Sequence, residues 1–327
     1  MSIKLALLGA WHVHAIHHLQ DSTANPETEV VVVWDPDTAR GAAFAEQHGL
    51  VFEPDLALIL ARADIEAVIV DTATRDHPEV IGAAIAAGKH VFTEKLLAIR
   101  ASDAKALADA AERAGVVLHV SLQRMIEAPI QTVKQLIDAG SVGRITATRI
   151  RYAHHGAVGT PWIPKHFFNV DEAGGGALID LGAHPIYLGM LFHDAQPQSI
   201  RSVIAHVANV GVEDNVASLL TYPDGAISVA EASFVAGFFA FSIEITGTRG
   251  TISVGPTDQR VMLRRAGAAE WVEQETASAL PSTFDQFIAA VQAGQRDGVH
   301  LRTAVNLTRV IEAAYRSSET GQTVVLD

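Results

Sequence analysis

Residues 4–10, KLALLGA, open a series that decides the fold; VVVVWD at 30–35, AVIVDTA at 67–73, KHVFTEK at 89–95 and VVLHVS at 116–121 continue it. Each run is apolar without interruption, where a strand with one wet face would alternate. Strands buried on both faces of a parallel sheet have this character. Helix signals stand between the runs: Asp37 is placed to cap a helix closed by Gly49, and an Ala-rich segment starts at Pro78 and closes at Gly88. Strand and helix in repetition predict an α/β domain with a doubly wound parallel sheet over residues 1–120. Over 121–327 the runs RITATRIRYAHH, SIRSVIAHVANV, NVASLLTY, AISVAEASF and FSIEITG are longer and more alternating, and Tyr222-Pro223-Asp224-Gly225 sits between two of them as a hairpin turn. A second domain with an antiparallel or mixed sheet is expected there. Its tail should be helical over Phe284–Ser318, end near Gly321 and be followed by a short strand, TVVLD.

Composition bounds the chemistry. At 327 residues with 49% hydrophobic and 19% charged residues, the chain has the material for two packed cores. A formal net charge of -13 argues against nucleic acid and anionic membrane surfaces, which are held by clustered Lys and Arg. The absence of cysteine removes disulfides, thiolate nucleophiles and Cys-ligated zinc, so His, Lys and carboxylates are the reactive inventory and the cytoplasm is the expected compartment. The start, MSIKLALLGAWHVHAIHH, is faintly like a secretion signal, but His12, His14, His17 and His18 interrupt it and a buried first strand explains it better. No apolar stretch reaches the roughly 20 residues that span a bilayer.

Gly9 ends the first run where a dinucleotide fold places G-x-G-x-x-G, so that backbone N–H groups approach a pyrophosphate. The stretch here is G-A-W-H-V-H, and a plain tight turn between strand and helix accounts for one glycine equally well. Asp35, at the end of the second run, is where a carboxylate would accept from ribose hydroxyls. Glu94 and Lys95 lie at the carboxyl edge of the sheet, where such folds bind ligands; a solvated ion pair is the plainer reading. In GGGALIDLGAH (174–184), Asp180 and His184 are four apart and share a face if the segment is helical, although Pro185 would kink that helix or start a new one. A carboxylate beside an imidazole makes a general base near neutrality. No metal is expected at the histidines, because no carboxylate lies between Trp11 and Gln20. Arg124, His154, His155, Trp162, Lys165 and His166 form a group suited to a polyhydroxylated ligand, acidic ones included.

On these motifs the chain resembles the Gfo/Idh/MocA family of oxidoreductases over its whole length. Gly9 and His17 match the family's G-x-G-x-x-G-x-x-H, Glu94 and Lys95 its E-K-P, and Gly174 to His184 its G-G-G-x-x-x-D-x-G-x-H; Thr72, Thr74 and His77 fall where the family touches the nicotinamide side, and GTRGTISV resembles a shared structural element. The departures are Trp11 and His14 for glycines, Leu96 for the proline, and Tyr187 where many members carry another Asp. The resemblance implies a Rossmann domain that binds NAD, with NADP disfavoured by Asp35, through Gly9, Trp11, His12, Val13, Asp35, Thr72, Thr74, His77, Glu94 and Lys95. It implies hydride transfer at a hydroxyl or keto carbon of a sugar, inositol or related polyol. His184 would take the hydroxyl proton, Asp180 orient substrate or imidazole, and Lys95 stabilise the developing alkoxide; Arg124, His154, Trp162 and His166 would contact substrate. The resemblance also implies a C-terminal α+β domain with a large open, mainly antiparallel sheet, and a homodimer or homotetramer built on that sheet. The alternatives are an NAD-using enzyme that cleaves glycosides or eliminates, and a dinucleotide sensor without catalysis.

Overall fold

The five continuous runs are the strands of one parallel sheet. In the computed structural model, which describes residues 2–159, 162–295 and 298–326, they are β1 (Ile3–Leu8), β2 (Thr28–Trp34), β3 (Ala67–Val70), β4 (His90–Glu94) and β5 (Leu118–Ser121), in the order β2-β1-β3-β4-β5. Every residue of β3 and β5 is buried, which is why these strands are apolar at consecutive positions. The expected punctuation is present: Asp37 accepts from the N–H groups of Ala39 and Arg40 at the start of helix Thr38–His48, and Gly49 ends it in the left-handed conformation.

The chain divides into two compact units, 1–122 with 281–308, and 123–280 with 309–327. Residues 281–308 therefore belong to the first unit, although a boundary after residue 120 assigns them to the second. The reason is apolar: Phe284, Phe287 and Ile288 join Ile3, Leu5, Ala67, Ile69, Phe92 and Val117 in one buried cluster. Full burial of each such side chain contributes about 1.5–3 kcal/mol. The tail is helical as expected, in two pieces: Thr283–Ala293 is closed by Gly294 in the left-handed region and a second helix runs over Gly298–Thr320. Residues 296 and 297, which that expectation also covered, lie outside the described residues.

The second unit is built on a nine-stranded sheet. Its strands are β6 (Ile145–Ala153), β7 (Ser199–Ala205), β8 (Asn215–Thr221), β9 (Ile227–Ser233), β10 (Ala240–Gly247), β11 (Gly250–Val254), β12 (Val261–Arg265), β13 (Val272–Glu273) and β14 (Val324–Val325). Their order is β13-β12-β11-β10-β6-β9-β8-β7-β14, antiparallel except for the β6–β9 pair. β8 alternates exposed and buried positions, the signature of a sheet with one covered face. Helix Ala183–His193, buried along nearly all its length, packs against β6 and β9. The turn at Tyr222–Gly225 joins β8 to β9 as expected, closed by the Gly225 N–H donating to Tyr222 O at 3.0 Å. Among the described residues no helix is long and apolar enough to cross a membrane.

Candidate active site

In the first unit, Gly9 follows β1 with φ +96°, and a Cβ there would lie 2.6 Å from the Thr72 backbone nitrogen. Glycine is thus required both by conformation and by the close approach of the β1 and β3 ends. The next backbone groups are spent within the unit. The Ala10 N–H donates to Asp35 Oδ2 at 2.7 Å, and those of Trp11 and His12 both donate to Asp71 O at 3.2 and 3.1 Å. Trp11 is packed inward at 4% exposure, while Val13 is exposed. Helix Ala15–Ala24 then begins with no side-chain cap at His14 and no acidic residue in its first turn, so its positive end is left for an anion.

Asp35 is at the end of β2, as expected, but its carboxylate is already saturated. It accepts from Ala10 N, Asp37 N at 2.7 Å, Arg40 Nε at 2.9 Å and an Arg40 terminal nitrogen at 2.6 Å. A ribose hydroxyl reaches it only by displacing one of these donors, and the forked Arg40 contact is the one a side-chain rotation can release.

Glu94 closes β4 within a ring of histidines. Its Oε1 accepts from His14 Nδ1 at 2.9 Å and lies 3.3 Å from His18 Nε2; its Oε2 accepts from the Lys95 N–H at 3.0 Å. His18 Nδ1 faces both oxygens of Asp71, at 3.0 and 2.9 Å. With a carboxylate at each nitrogen, the His18 ring carries both protons. Burial opposes that charge, but Asp71 and Glu94 outweigh it and raise His18 to about 10. Burial likewise opposes ionisation of Glu94, yet His14, His18 and His12 hold it well below the usual carboxylate range. Lys95 is buried and is followed by a cis peptide bond to Leu96.

Thr72, Thr74 and His77 are all buried just beyond β3. His77 donates from Nδ1 to Leu96 O at 2.9 Å, and burial lowers its pKa, so the ring is neutral. Its Nε2 and the Thr72 hydroxyl are buried without a hydrogen-bond partner among the described residues. Each such atom costs about 1–3 kcal/mol unless a ligand satisfies it. These orphaned atoms, the glycine-only approach at Gly9 and the uncapped helix end fit a bound dinucleotide; the filled Asp35 carboxylate is the exception.

In the second unit, the glycine run is shaped by close packing. A Cβ on Gly175 would lie 1.9 Å from the Tyr315 hydroxyl and one on Gly176 2.1 Å from Glu213 O. Glu213, which the sequence reading missed, accepts on Oε1 from the N–H groups of Gly176 and Leu178 and from the Tyr315 hydroxyl at 2.6 Å. It pins the loop ahead of Asp180. The segment is helical, but Leu178–Gly182 forms a π turn before the α-helix begins at Ala183. Pro185 supplies the cause: without an N–H it cannot continue the α-helical bonding, and the wider turn shifts the simple four-residue register expected for Asp180 and His184.

His184 is buried, and its Nδ1 meets the Tyr187 hydroxyl at 2.7 Å. That hydroxyl also accepts from the Arg124 N–H at 3.0 Å. The Tyr152 ring stands edge-on to the imidazole at 5.2 Å. The Arg124 guanidinium lies over Tyr152 and Phe241, donates to the Tyr152 hydroxyl at 2.8 Å and forks onto Glu127. Arg124, expected among the substrate contacts, thus has its guanidinium engaged by Glu127 and Tyr152 and its backbone N–H on the hydroxyl that meets His184. His154 is buried, stacked on Phe234 at 5.2 Å and beside Trp162 at 4.8 Å; burial lowers its pKa, and the nearby Asp180 only partly opposes this. Trp162 is 53% exposed, while His166 is half-buried in the turn Lys165–Phe168.

Comparison with known proteins places this geometry. The family profile described as an oxidoreductase family with an NAD-binding Rossmann fold matches residues 3–122, and that of the GFO/IDH/MocA C-terminal domain matches 130–253. The chain is 31% identical to the 1,5-anhydro-D-fructose reductase of Ensifer adhaerens over 233 residues, 68% of this chain and 67% of that protein. It is 27% identical to the scyllo-inositol 2-dehydrogenase (NAD(+)) of Bacillus subtilis, covering 77% of this chain and 74% of the relative. A levoglucosan dehydrogenase solved with NADH and levoglucosan shares the fold, with a TM-score of 0.87 at 21% identity over 99% of both chains. The chain belongs to the GFO/IDH/MocA family of oxidoreductases and carries its NAD-binding Rossmann domain.

Proposed function

We propose that the protein is an NAD-dependent dehydrogenase or reductase acting at a hydroxyl-bearing carbon of a sugar, inositol or related polyol. The observation that carries the reading is His184, a buried imidazole fixed in orientation by Tyr187 within the motif on which the family resemblance rests. Bound NAD supplies a nicotinamide that accepts or returns a hydride. The chain's own task is to move the proton. With Nδ1–H donated to the Tyr187 oxygen, His184 presents Nε2 to take the hydroxyl proton on oxidation and return it on reduction. Tyr187 then accepts two N–H bonds, from His184 and from Arg124, which use both its lone pairs. Lys95 offers an ammonium to a developing alkoxide and Asp180 orients the substrate or the imidazole. Gly9, Trp11, His12, Val13, Thr72, Thr74, His77 and Glu94 form the cofactor half, and His154, Trp162 and His166 the substrate contacts.

NAD is preferred over NADP in this reading, since a 2'-phosphate near the end of β2 would meet Asp35 and Asp37 against the single cation of Arg40. The reading includes a cytoplasmic homodimer or homotetramer. Val203, Leu219 and Ile227 on the outer face of the C-terminal sheet are apolar and exposed, which favours a second copy as cover. A panel of sugars and polyols, assayed with each cofactor by the absorbance of its reduced form, tests it. Turnover with NAD on members of the panel is expected; binding of NAD with turnover on none of them would favour a sensor.

A further inference from the structure

His12, His14 and Glu94 are brought together by the fold from two distant segments, and each has one ligand atom within 4.8 Å of the others. We propose that these three residues form a binding site for a divalent transition-metal ion of the zinc type. Two imidazoles and one carboxylate are a ligand set that such ions take, with at least one position left open to solvent. Metal-to-ligand bonds of about 2.0–2.2 Å place tetrahedral ligand atoms roughly 3.3–3.6 Å apart, so a pair as far apart as 4.8 Å must close by about an ångström. Half-exposed His14 has the freedom to supply that movement. The ion displaces the hydrogen bond from His14 Nδ1 to Glu94 Oε1 at 2.9 Å, and His14 gives up that ring proton to solvent or to its other nitrogen so that a lone pair faces the metal.

Three features distinguish the cluster from a chance grouping of surface histidines. Two of the three groups, His12 and Glu94, are buried. The carboxylate is oriented from behind by the chain Asp71 to His18 to Glu94, with contacts of 2.9 and 3.3 Å; partners of this kind set the orientation of metal ligands. The Lys95 N–H fixes the other oxygen of Glu94 at 3.0 Å, leaving Oε1 as the one turned to the histidines. No carboxylate lies near these histidines in sequence, between Trp11 and Gln20. The fold supplies one from the end of β4 instead.

The site goes beyond the hydride-transfer reading but shares His12 and Glu94 with its cofactor half, so it is tested without NAD. Protein stripped with a chelator is titrated with Zn2+ and with Co2+. Bound metal is counted by mass spectrometry, and the visible spectrum of Co2+ reports its ligands. One ion per chain is expected. Affinity should fall at least tenfold in His14→Ala and in Glu94→Gln, and roughly 10–100-fold in His18→Asn, which touches only the orienting chain. His14 is half-exposed, so its variant carries the test if Glu94→Gln fails to fold. Absence of stoichiometric binding, or binding unchanged in His14→Ala, would overturn the proposal while leaving the dehydrogenase reading intact.

Discussion

His184 illustrates how much a single residue depends on neighbours that no motif contains. Its orientation rests on Tyr187, whose hydroxyl is in turn held by the Arg124 N–H. Tyr187→Phe removes both hydrogen bonds to that hydroxyl, and loss of the one from His184, worth about 0.5–1.5 kcal/mol, should lower kcat roughly two- to tenfold. NAD affinity, measured by fluorescence titration, should be unchanged; loss of cofactor binding would place Tyr187 elsewhere in the account. In sequence Tyr187 was visible only as a departure from the family's Asp, and Arg124 as a basic residue among candidate substrate contacts. What a side chain turns toward is decided by packing, so the guanidinium over Tyr152 and Phe241 had no signal in spacing. Asp35 teaches the same lesson from the other side. Its place at the end of β2 was legible, whereas its occupation by Arg40, five residues on, was not.

At the scale of elements, continuous apolar runs identified β1 to β5 because burial on both faces removes the need for polar positions. The π turn at Leu178–Gly182 escaped because hydrophobic period does not distinguish a locally widened helix from a regular one. Helix Thr283–Ala293 was legible as a helix but not as part of the first unit, since only the packed core shows Phe284 and Phe287 against Phe92. Phe287→Ala should therefore cost about 3–5 kcal/mol in denaturant unfolding, a core-cavity penalty. A cost under 1 kcal/mol would mean that this helix does not seal the parallel sheet.

The last turn of helix Ala183–His193 carries a pH dependence. His193 stacks on Tyr222 at 3.9 Å, its Nε2 meets the Thr148 hydroxyl at 3.2 Å, and burial lowers its pKa to about 4, with Asp224 only partly opposing. Folding thus disfavours its protonation, and between about 6.5 and 4 the unfolded chain binds the extra proton. Its contribution is complete above that window and is lost as pH falls through it. His193→Gln keeps a polar partner for Thr148 but does not titrate, so its melting temperature should fall less than that of the wild type from pH 7 to 4. Equal falls would remove His193 as the cause.

The whole molecule joins a parallel-sheet unit, which contains the NAD-binding Rossmann domain, to a nine-stranded unit, which contains His184. The two kinds of sheet were legible in the change from continuous to alternating strands, while the return of residues 281–308 to the first unit was not. Cofactor choice is a property at this scale, and kcat/KM with NAD should exceed that with NADP; the reverse order would assign the Arg40 fork to a 2'-phosphate. The central claim is that a hydride leaves substrate carbon for nicotinamide while His184 takes the proton. Its most direct test is label transfer, in which NAD is incubated with polyols and sugars deuterated at their carbinol carbons and the reduced cofactor is weighed by mass spectrometry. Deuterium should appear in the reduced cofactor, and His184→Ala should slow its appearance about 10²–10⁴-fold. Reduced cofactor without deuterium, or transfer in His184→Ala at the wild-type rate, would contradict the account.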